Sequence, residues 1–263
     1  MDIKNIRGVT IVTIQIGVAA NPAQWWRMNM QANPTSGPAI YGTSTERVFT
    51  SIQPLRCALL VIDMQNYFVD PQYPTAVASA AATVPAINRM ADLLRRSGGC
   101  VIWIRTLSTT DVSRWSVFED YILSPQAKSL RQALLHPDHH ASQLVSNLDC
   151  RPQDLVVHKT RFSAMAAQSS NLLTVLQERN IDTVLIAGTA TNICCESTAK
   201  DAAVANYKSI MIEDGLSAHT DAAHINSLAN FKGVFGDVLS VDQCAASLHK
   251  DRGSTNSRQV STA

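Results

Sequence analysis

The chain has 263 residues, of which 46% are apolar, and its 22 basic and 21 acidic residues nearly cancel. A chain of this length and composition can bury one sizeable hydrophobic core. Because the sequence has no basic stripe or charge block, we expect neither nucleic acid nor a membrane surface as a partner, and no apolar run approaches the length of a bilayer span.

Residues 1–54 differ from the rest and are predicted to form an N-terminal extension. They contain Trp25, Trp26, a stretch rich in proline and glycine at residues 34–42, and few helix signals. Residues 7–21 resemble a secretory signal in their flanking charges, but polar residues interrupt them and their pattern alternates as in a strand. We therefore expect a strand here, within an extension that lies over the body or reaches a partner subunit.

From residue 55 onwards, short apolar runs alternate with stretches of helical periodicity. The runs are typical of strands buried on both faces, and we predict strands at residues 57–63, 100–106, 154–159, 183–188, 208–214 and 238–241. Helices are predicted at residues 83–97, 126–135, 171–180, 195–207 and 221–231. This alternation predicts an α/β fold, a doubly wound, mostly parallel six-stranded sheet with helices on both faces. The predicted domain spans residues 55–248, and a polar tail follows at residues 249–263.

An acid, an amine and a thiol are predicted to meet at one edge of this sheet. Asp63 ends the first strand, Lys159 ends the third, and the fourth runs into a turn that leads to Cys194 and Cys195. In an open parallel sheet, ligands bind beyond the carboxyl ends of the strands. Each residue alone has an ordinary explanation as a cap, a solvated amine or a core thiol. Their convergence favours a catalytic site.

The two adjacent cysteines are expected to have different roles. Neighbours on a helix point about 100° apart, so only one of Cys194 and Cys195 faces the crevice. A thiol in the first turn of a helix is expected to have a lowered pKa. Asp63 is a candidate base for this thiol, and backbone N–H groups of residues 188–194 are candidate donors to an oxyanion.

Other sites are not supported by the sequence. The six cysteines include no Cys-x-x-Cys pair, and Cys57, Cys100 and Cys244 lie in or beside apolar runs. This distribution favours reduced thiols in a cytoplasmic protein and gives no support to a structural zinc site. The turn after the first strand, DMQNYFVDP, has no glycine, so we expect no nucleotide-binding loop there.

Three motifs, in this order, resemble those of the isochorismatase-like cysteine hydrolase superfamily. They are LLVIDMQNYF from residue 59, HKTRFSAM from residue 158 and AGTATNICCESTAKDA from residue 187. The resemblance covers roughly residues 55–248. Within the superfamily, the run TNICCEST is most similar to ureidoacrylate, carbamoylsarcosine and biuret amidohydrolases.

The resemblance implies a role for each residue at this edge of the sheet. Cys194 would be the nucleophile, Asp63 the general base and Lys159 the third catalytic member, whereas Cys195 would be a packing residue. A cis peptide bond before Ala190 is also implied. The N–H groups of Ala190 and Cys194 would then form the oxyanion hole.

The resemblance further implies a metal-free cysteine amidohydrolase without a cofactor. It would cleave a C–N bond of a small amide, ureido or carbamoyl compound through a thioester and release ammonia or an amine. Nicotinamidases of the superfamily carry an Asp-x-His motif and a further histidine after the second strand, but the stretch RTLSTTDVSRW has no histidine. We therefore expect neither nicotinamidase activity nor a metal, and the histidine-rich residues 136–140 are interpreted as a solvated loop.

Two alternative functions remain open at this point. One is an isochorismatase-type vinyl ether hydrolase, although members that act on isochorismate usually lack the nucleophilic cysteine. The other is a catalytically silent binding member of the fold.

Candidate substrate-binding residues come from loops after the predicted strands. They are Phe68, Trp115, Arg161 and Phe235, of which Arg161 is a candidate to bind a substrate carboxylate in bidentate fashion. We expect a small-molecule substrate and, by resemblance, a homodimer or homotetramer.

Overall fold

The computed structural model describes residues 47–110 and 114–248, together with the backbone of two strands near the N-terminus. The chain divides into two compact units, Met1–Ala39 and Ile40–Ala263. In the first unit, β1 (Asp2–Ile6) pairs antiparallel with β2 (Val9–Thr13), so a strand does occur within residues 7–21. Trp25, Trp26 and the predicted polar tail lie outside the described residues.

The second unit is built on a six-stranded sheet whose neighbouring strands all run parallel. The strands are β3 (Cys57–Ile62), β4 (Cys100–Thr106), β5 (Leu155–Lys159), β6 (Thr183–Thr189), β7 (Lys208–Ser217) and β8 (Gly236–Leu239). Their order is β5-β4-β3-β6-β7-β8, so the chain builds outwards from β3 on one side and then on the other. The predicted doubly wound α/β fold is confirmed, and the sheet is wholly parallel.

The two central strands, β3 and β6, are buried along their whole length. They carry continuous apolar runs because helices cover both faces of the sheet. Leu59 and Val61 belong to the core cluster on one face, and Leu60 and Ile62 belong to the cluster on the other. This division follows from the alternation of side chains along a strand.

Seven α-helices accompany the sheet in the described part of the chain. They are α1 (Asn66–Val69), α2 (Val84–Arg96), α3 (Pro125–Leu134), α4 (Leu172–Glu178), α5 (Glu196–Val204), α6 (Asp221–Phe231) and α7 (Val241–Leu248). Side chains of α2 and α7 join one core cluster, and those of α4, α5 and α6 join the other. Two of these helices were not predicted from the sequence. α1 is a single turn, and α7 is too short to give a clear helical pattern. None of these helices is long and apolar enough to cross a bilayer.

Residues 48–52, which precede β3, pack against the rest of the second unit. The N–H groups of Val48 and Phe49 donate to the Asp237 carboxylate at 2.8 and 2.7 Å, and Ile52 is fully buried. The division at residue 54, between an extension and the hydrolase domain, stays a prediction.

Candidate active site

The three residues predicted to be catalytic lie together at the carboxyl edge of the sheet. Asp63 follows β3, Lys159 is the last residue of β5, and Cys194 lies in a π-helical turn, Thr191–Cys195, after β6. The Nζ atom of Lys159 lies 2.8 Å from Oδ2 of Asp63, and both side chains have no solvent exposure. The same carboxylate acts on the Cys194 thiol and raises its pKa. Asp63 therefore interacts with both the amine and the thiol.

Thr106, the last residue of β4, bridges the two charged groups. Its hydroxyl donates to Oδ1 of Asp63 at 2.7 Å and accepts from Nζ of Lys159 at 2.6 Å. The ammonium also donates to the carbonyl oxygen of Arg161 at 3.0 Å. All three N–H donors of Lys159 therefore have acceptors, which offsets part of the cost of burying the charge.

Gln65, which follows β3, fixes the position of Thr106. Its side-chain amide donates to the carbonyl oxygens of Thr106 and Ser142 at 2.9 and 2.7 Å, and its Oε1 accepts from the N–H of Thr106 at 2.7 Å. Asp63 itself adopts a φ of 55°, and its N–H donates to the carbonyl oxygen of Ile104. The backbones at the ends of β3 and β4 are thus held together around the carboxylate.

The turn that carries the cysteines begins with two backbone features. At Gly188 φ is 114°, and a Cβ atom would lie 2.0 Å from the carbonyl oxygen of Ile62, so only glycine fits there. The peptide bond between Thr189 and Ala190 is cis. The carbonyl oxygen of Ala190 accepts from the N–H of Cys195 at 3.2 Å, which closes the first turn after β6.

The adjacent cysteines face different surroundings. Cys194 is 7% exposed and lines a cavity, whereas Cys195 is fully buried and does not line it. The hydroxyl of Thr198 donates to the carbonyl oxygen of Cys194 at 2.8 Å and accepts from the N–H of Ala164 at 3.1 Å. This threonine therefore ties the cysteine turn to the loop after β5.

Burial and the neighbouring carboxylate set the protonation state of the Cys194 thiol. Burial is the largest cause, and together with the charge of Asp63 it raises the pKa of Cys194 to about 12, although Lys159 acts in the opposite direction. The expectation of a lowered thiol pKa is therefore wrong, because removing the sulfur from water disfavours the charged thiolate. At neutral pH the resting thiol keeps its proton and needs a base in order to attack.

The Lys159 ammonium is charged at neutral pH. Burial by itself lowers the pKa of Lys159, but the Asp63 carboxylate and Cys194 outweigh it and raise this pKa above its ordinary value. Burial also raises the pKa of Cys195 well above its ordinary value. The site therefore holds a buried ion pair beside a protonated thiol.

A cavity of about 340 Å³ lies in front of Cys194. Its volume is within the range of small-molecule sites. Most of its walls are aromatic or aliphatic, and they include Tyr67, Phe68, Val77, Phe118, Phe162 and Ile193. The cavity is the candidate substrate site.

Two of the four residues predicted to bind substrate lie in or behind these walls. Phe68 lines the cavity. Trp115 does not line it but supports its wall, because the Trp115 ring stacks on Phe118 with 4.6 Å between the ring centroids.

The other two predicted residues do not line the cavity. The Arg161 guanidinium donates to the side chain of Gln168 at 3.3 Å, and its Nε is buried without a hydrogen-bond partner. Phe235 stacks on Phe231 and lines a separate cavity. The physical reason is that Phe235 leads from α6 into β8, and such loops lie at the amino edge of a parallel sheet.

Thr106, Arg131 and His219 also lie at the site, although the sequence predicted no role for them. Thr106 ends a predicted strand, so the rule that ligands bind at carboxyl ends could have identified it. His219 follows β7, which extends three residues beyond its predicted end at residue 214. Arg131 lies on α3 and not at the end of a strand, so this rule could not have identified it.

Residues with metal-binding side chains do not cluster at this site. Within residues 47–110 and 114–248, no three side chains of the types that ligate metals come together. The histidines at positions 136, 139 and 140 are exposed, as the interpretation of a solvated loop requires.

The chain matches one family model and is similar to several named proteins. The model of the isochorismatase domain matches residues 57–243. A probable inactive nicotinamidase of Arabidopsis thaliana is 30% identical over 184 residues, which cover 67% of this chain and 88% of the relative. The ureidoacrylate amidohydrolase RutB of Rhizobium rhizogenes is 30% identical over 211 residues, which cover 74% of this chain and 85% of the relative.

A solved structure agrees with this relationship. The crystal structure of a cysteine hydrolase from Pseudomonas syringae pv. phaseolicola superposes with a TM-score of 0.70 and 26% identity. The superposition covers 78% of this chain and 98% of that one. Because the family model spans most of the chain, including the three residues at the carboxyl edge, the protein belongs to the isochorismatase family of hydrolases.

Proposed function

We propose that the protein is a cysteine amidohydrolase that cleaves a C–N bond of a small amide, ureido or carbamoyl compound, with Cys194 as the nucleophile. The observation that carries the proposal is the buried ion pair of Asp63 with Lys159, at the same sheet edge as the cavity-lining Cys194, whose pKa Asp63 raises. The chain is a hydrolase, and its similarity to an amidohydrolase supports action on non-peptide C–N bonds. The stretch after the second strand, RTLSTTDVSRW, has no histidine, which supports a reaction without a bound metal.

The reaction begins with proton transfer from the thiol to the carboxylate. Because the pKa of Cys194 is raised to about 12, the sulfur is not a thiolate at rest, and Asp63 removes its proton as the bond to carbon forms. The sulfur attacks the carbonyl carbon, and the carbonyl π electrons move to oxygen. The N–H groups of Ala190 and Cys194 then stabilise the resulting oxyanion.

The intermediate then collapses and the C–N bond breaks. Asp63 gives its proton to the leaving nitrogen, which departs as ammonia or an amine and leaves a thioester on Cys194. A water molecule loses a proton to Asp63 and attacks the thioester carbon. Collapse of this second intermediate releases the product acid, and the sulfur recovers the proton. Lys159 holds the carboxylate in position throughout, while Thr106 hydrogen-bonds to both.

Ammonia release from a panel of ureido acids, biuret and simple amides tests the proposal. We expect release from at least one class of compound, with full loss in Cys194→Ala and retention in the matched control Cys195→Ala. A thioester adduct on Cys194, trapped by acid quench and detected by mass spectrometry, would support the covalent step. Ammonia release that persists in Cys194→Ala would contradict the proposal.

The same measurements test the two alternatives. Pyruvate release from isochorismate, without ammonia release from the panel, would favour a vinyl ether hydrolase. A lack of turnover with every compound would favour a silent binding member, a possibility raised by the relative that is named as inactive.

We also propose a cytoplasmic protein that works on a small molecule as a homodimer or homotetramer. All six cysteines are free, which suits a reducing compartment. Val117, Tyr121 and Ile122 are exposed apolar residues beside the cavity-lining Phe118, a surface that a second copy would cover. Light scattering coupled to size-exclusion chromatography tests the assembly, and a monomer at micromolar concentration would contradict it.

A further inference from the structure

One helix contributes a cation to the cavity. α3 presents Ala127 and Arg131 to it, and these positions are four residues apart and so share one face of the helix. The Arg131 side chain therefore brings a positive charge to the cavity wall.

The Arg131 guanidinium forms no ion pair with any residue that the structure describes. The neighbouring acidic residues have other partners, since Asp120 pairs with Arg114 and Lys128, and Glu119 pairs with Arg114. The Arg131 Cζ lies 5.6 Å from the centroid of the Phe118 ring. An aromatic face attracts a cation but does not neutralise its charge.

Arg131 and Cys194 line the same cavity of about 340 Å³, so one small molecule can touch both residues. The charge of Arg131 also reaches the reacting groups, because it lowers the pKa of both Cys194 and Lys159. A half-buried cation without a counter-ion, in a mostly apolar cavity, attracts an anionic ligand group. The planar guanidinium suits a carboxylate in particular.

The other walls of the cavity determine what kind of ligand body fits between Arg131 and Cys194. Four aromatic rings, those of Tyr67, Phe68, Phe118 and Phe162, contribute to its walls. Such walls favour an apolar, ring-bearing body over a short polar one.

We propose that Arg131 is a specificity-determining residue that binds the carboxylate of the substrate, and that the substrate is a ureido or amide acid with an aromatic or bulky apolar body. The inference rests on the proposed function, since it assigns the substrate class of the same site. It predicts that a bulky N-carbamoyl amino acid is hydrolysed better than a small one and better than its uncharged analogue.

Turnover of three matched compounds tests the substrate class. N-carbamoylphenylalanine has the carboxylate and the ring, N-carbamoylphenylalaninol lacks the carboxylate, and N-carbamoylglycine lacks the ring. We expect the first to have the highest kcat/KM, by about 10–100-fold over the alcohol, the range that loss of a charge-assisted hydrogen bond gives. Arg131→Gln should lower kcat/KM for the acid by about 10–100-fold more than it lowers kcat/KM for the alcohol. Lys128→Met, on the same helix but outside the cavity, should change neither.

Binding separates failure of this inference from failure of the proposed function. Calorimetry with 3-phenylpropionate and 3-phenylpropanol needs no turnover, and we expect Arg131→Gln to weaken binding of only the acid, by about 10–100-fold. This result without ammonia release would support the Arg131 subsite and contradict the amidohydrolase. Ammonia release with equal kcat/KM for acid and alcohol, unchanged in Arg131→Gln, would support the amidohydrolase and overturn the Arg131 subsite.

Discussion

Replacing Lys159 with methionine would leave the Asp63 carboxylate buried without its cation. Both side chains have no solvent exposure, and their charged atoms lie 2.8 Å apart. Breaking such a pair by removing one partner typically costs about 3–5 kcal/mol, because the remaining charge is uncompensated. This is a large part of the free energy of unfolding of a typical domain, about 5–15 kcal/mol. We therefore expect Lys159→Met to lower the free energy of unfolding by about 3–5 kcal/mol and to abolish ammonia release.

Urea unfolding, followed by tryptophan fluorescence, measures this loss. The matched control is the double variant Asp63→Asn/Lys159→Met, which removes both charges while nearly preserving side-chain volume. It should be more stable than Lys159→Met alone, although equally inactive. A loss below about 1 kcal/mol in Lys159→Met, the range of an exposed ion pair, would refute the buried pairing. So would a double variant whose loss equals the sum of the two single losses, because additivity means that the residues do not interact.

Two further predictions follow from the same group of residues. Thr106→Val removes the hydroxyl that bridges Asp63 and Lys159, so we expect a loss of about 1–3 kcal/mol in urea unfolding and reduced kcat. Thr106→Ser keeps the hydroxyl and should recover most of the unfolding free energy and most of kcat. Equal losses in Thr106→Val and Thr106→Ser would contradict the bridging role. The Cys194 pKa of about 12 exceeds that of an unfolded thiol, about 8.5, so its stabilising contribution is complete below pH 8.5 and is lost as the pH rises towards 12. Between pH 8 and pH 10, wild type should lose about 2 kcal/mol of unfolding free energy relative to Cys194→Ala, and a constant difference would contradict the raised pKa.

The sheet was predictable because its strands are nearly pure apolar runs. Burial on both faces leaves little room for polar alternation, so the sequence of β3 and β6 indicates parallel strands directly. The strand order was not needed to infer that Asp63, Lys159 and Cys194 share an edge, because all carboxyl ends of a parallel sheet meet there. The errors at helix and strand ends, such as the early predicted end of β7, did not affect this inference.

The cavity walls were not predictable in the same way. Phe118 and Arg131 come from a segment whose periodicity is broken by a π-helical turn at Phe118–Ile122. Which side chains of this segment face Cys194 depends on how the turn and α3 pack, and that is set by contacts such as the ring of Trp115 against Phe118. The position of Phe235, away from this cavity, was not predictable because only the structure gives the edge on which its loop lies.

By itself, the sequence determined the fold class and the types of side chain available at the reacting edge, because apolar runs and short motifs encode both locally. Only the tertiary structure decided the state of these groups. The pKa of Cys194 is raised to about 12 since packing removes water from the sulfur and sets it against a carboxylate. The roles of Thr106 and Arg131 likewise depend on residues distant in sequence. Thr106 hydrogen-bonds to Asp63, and Arg131 lines the same cavity as Cys194, only because the chain has folded.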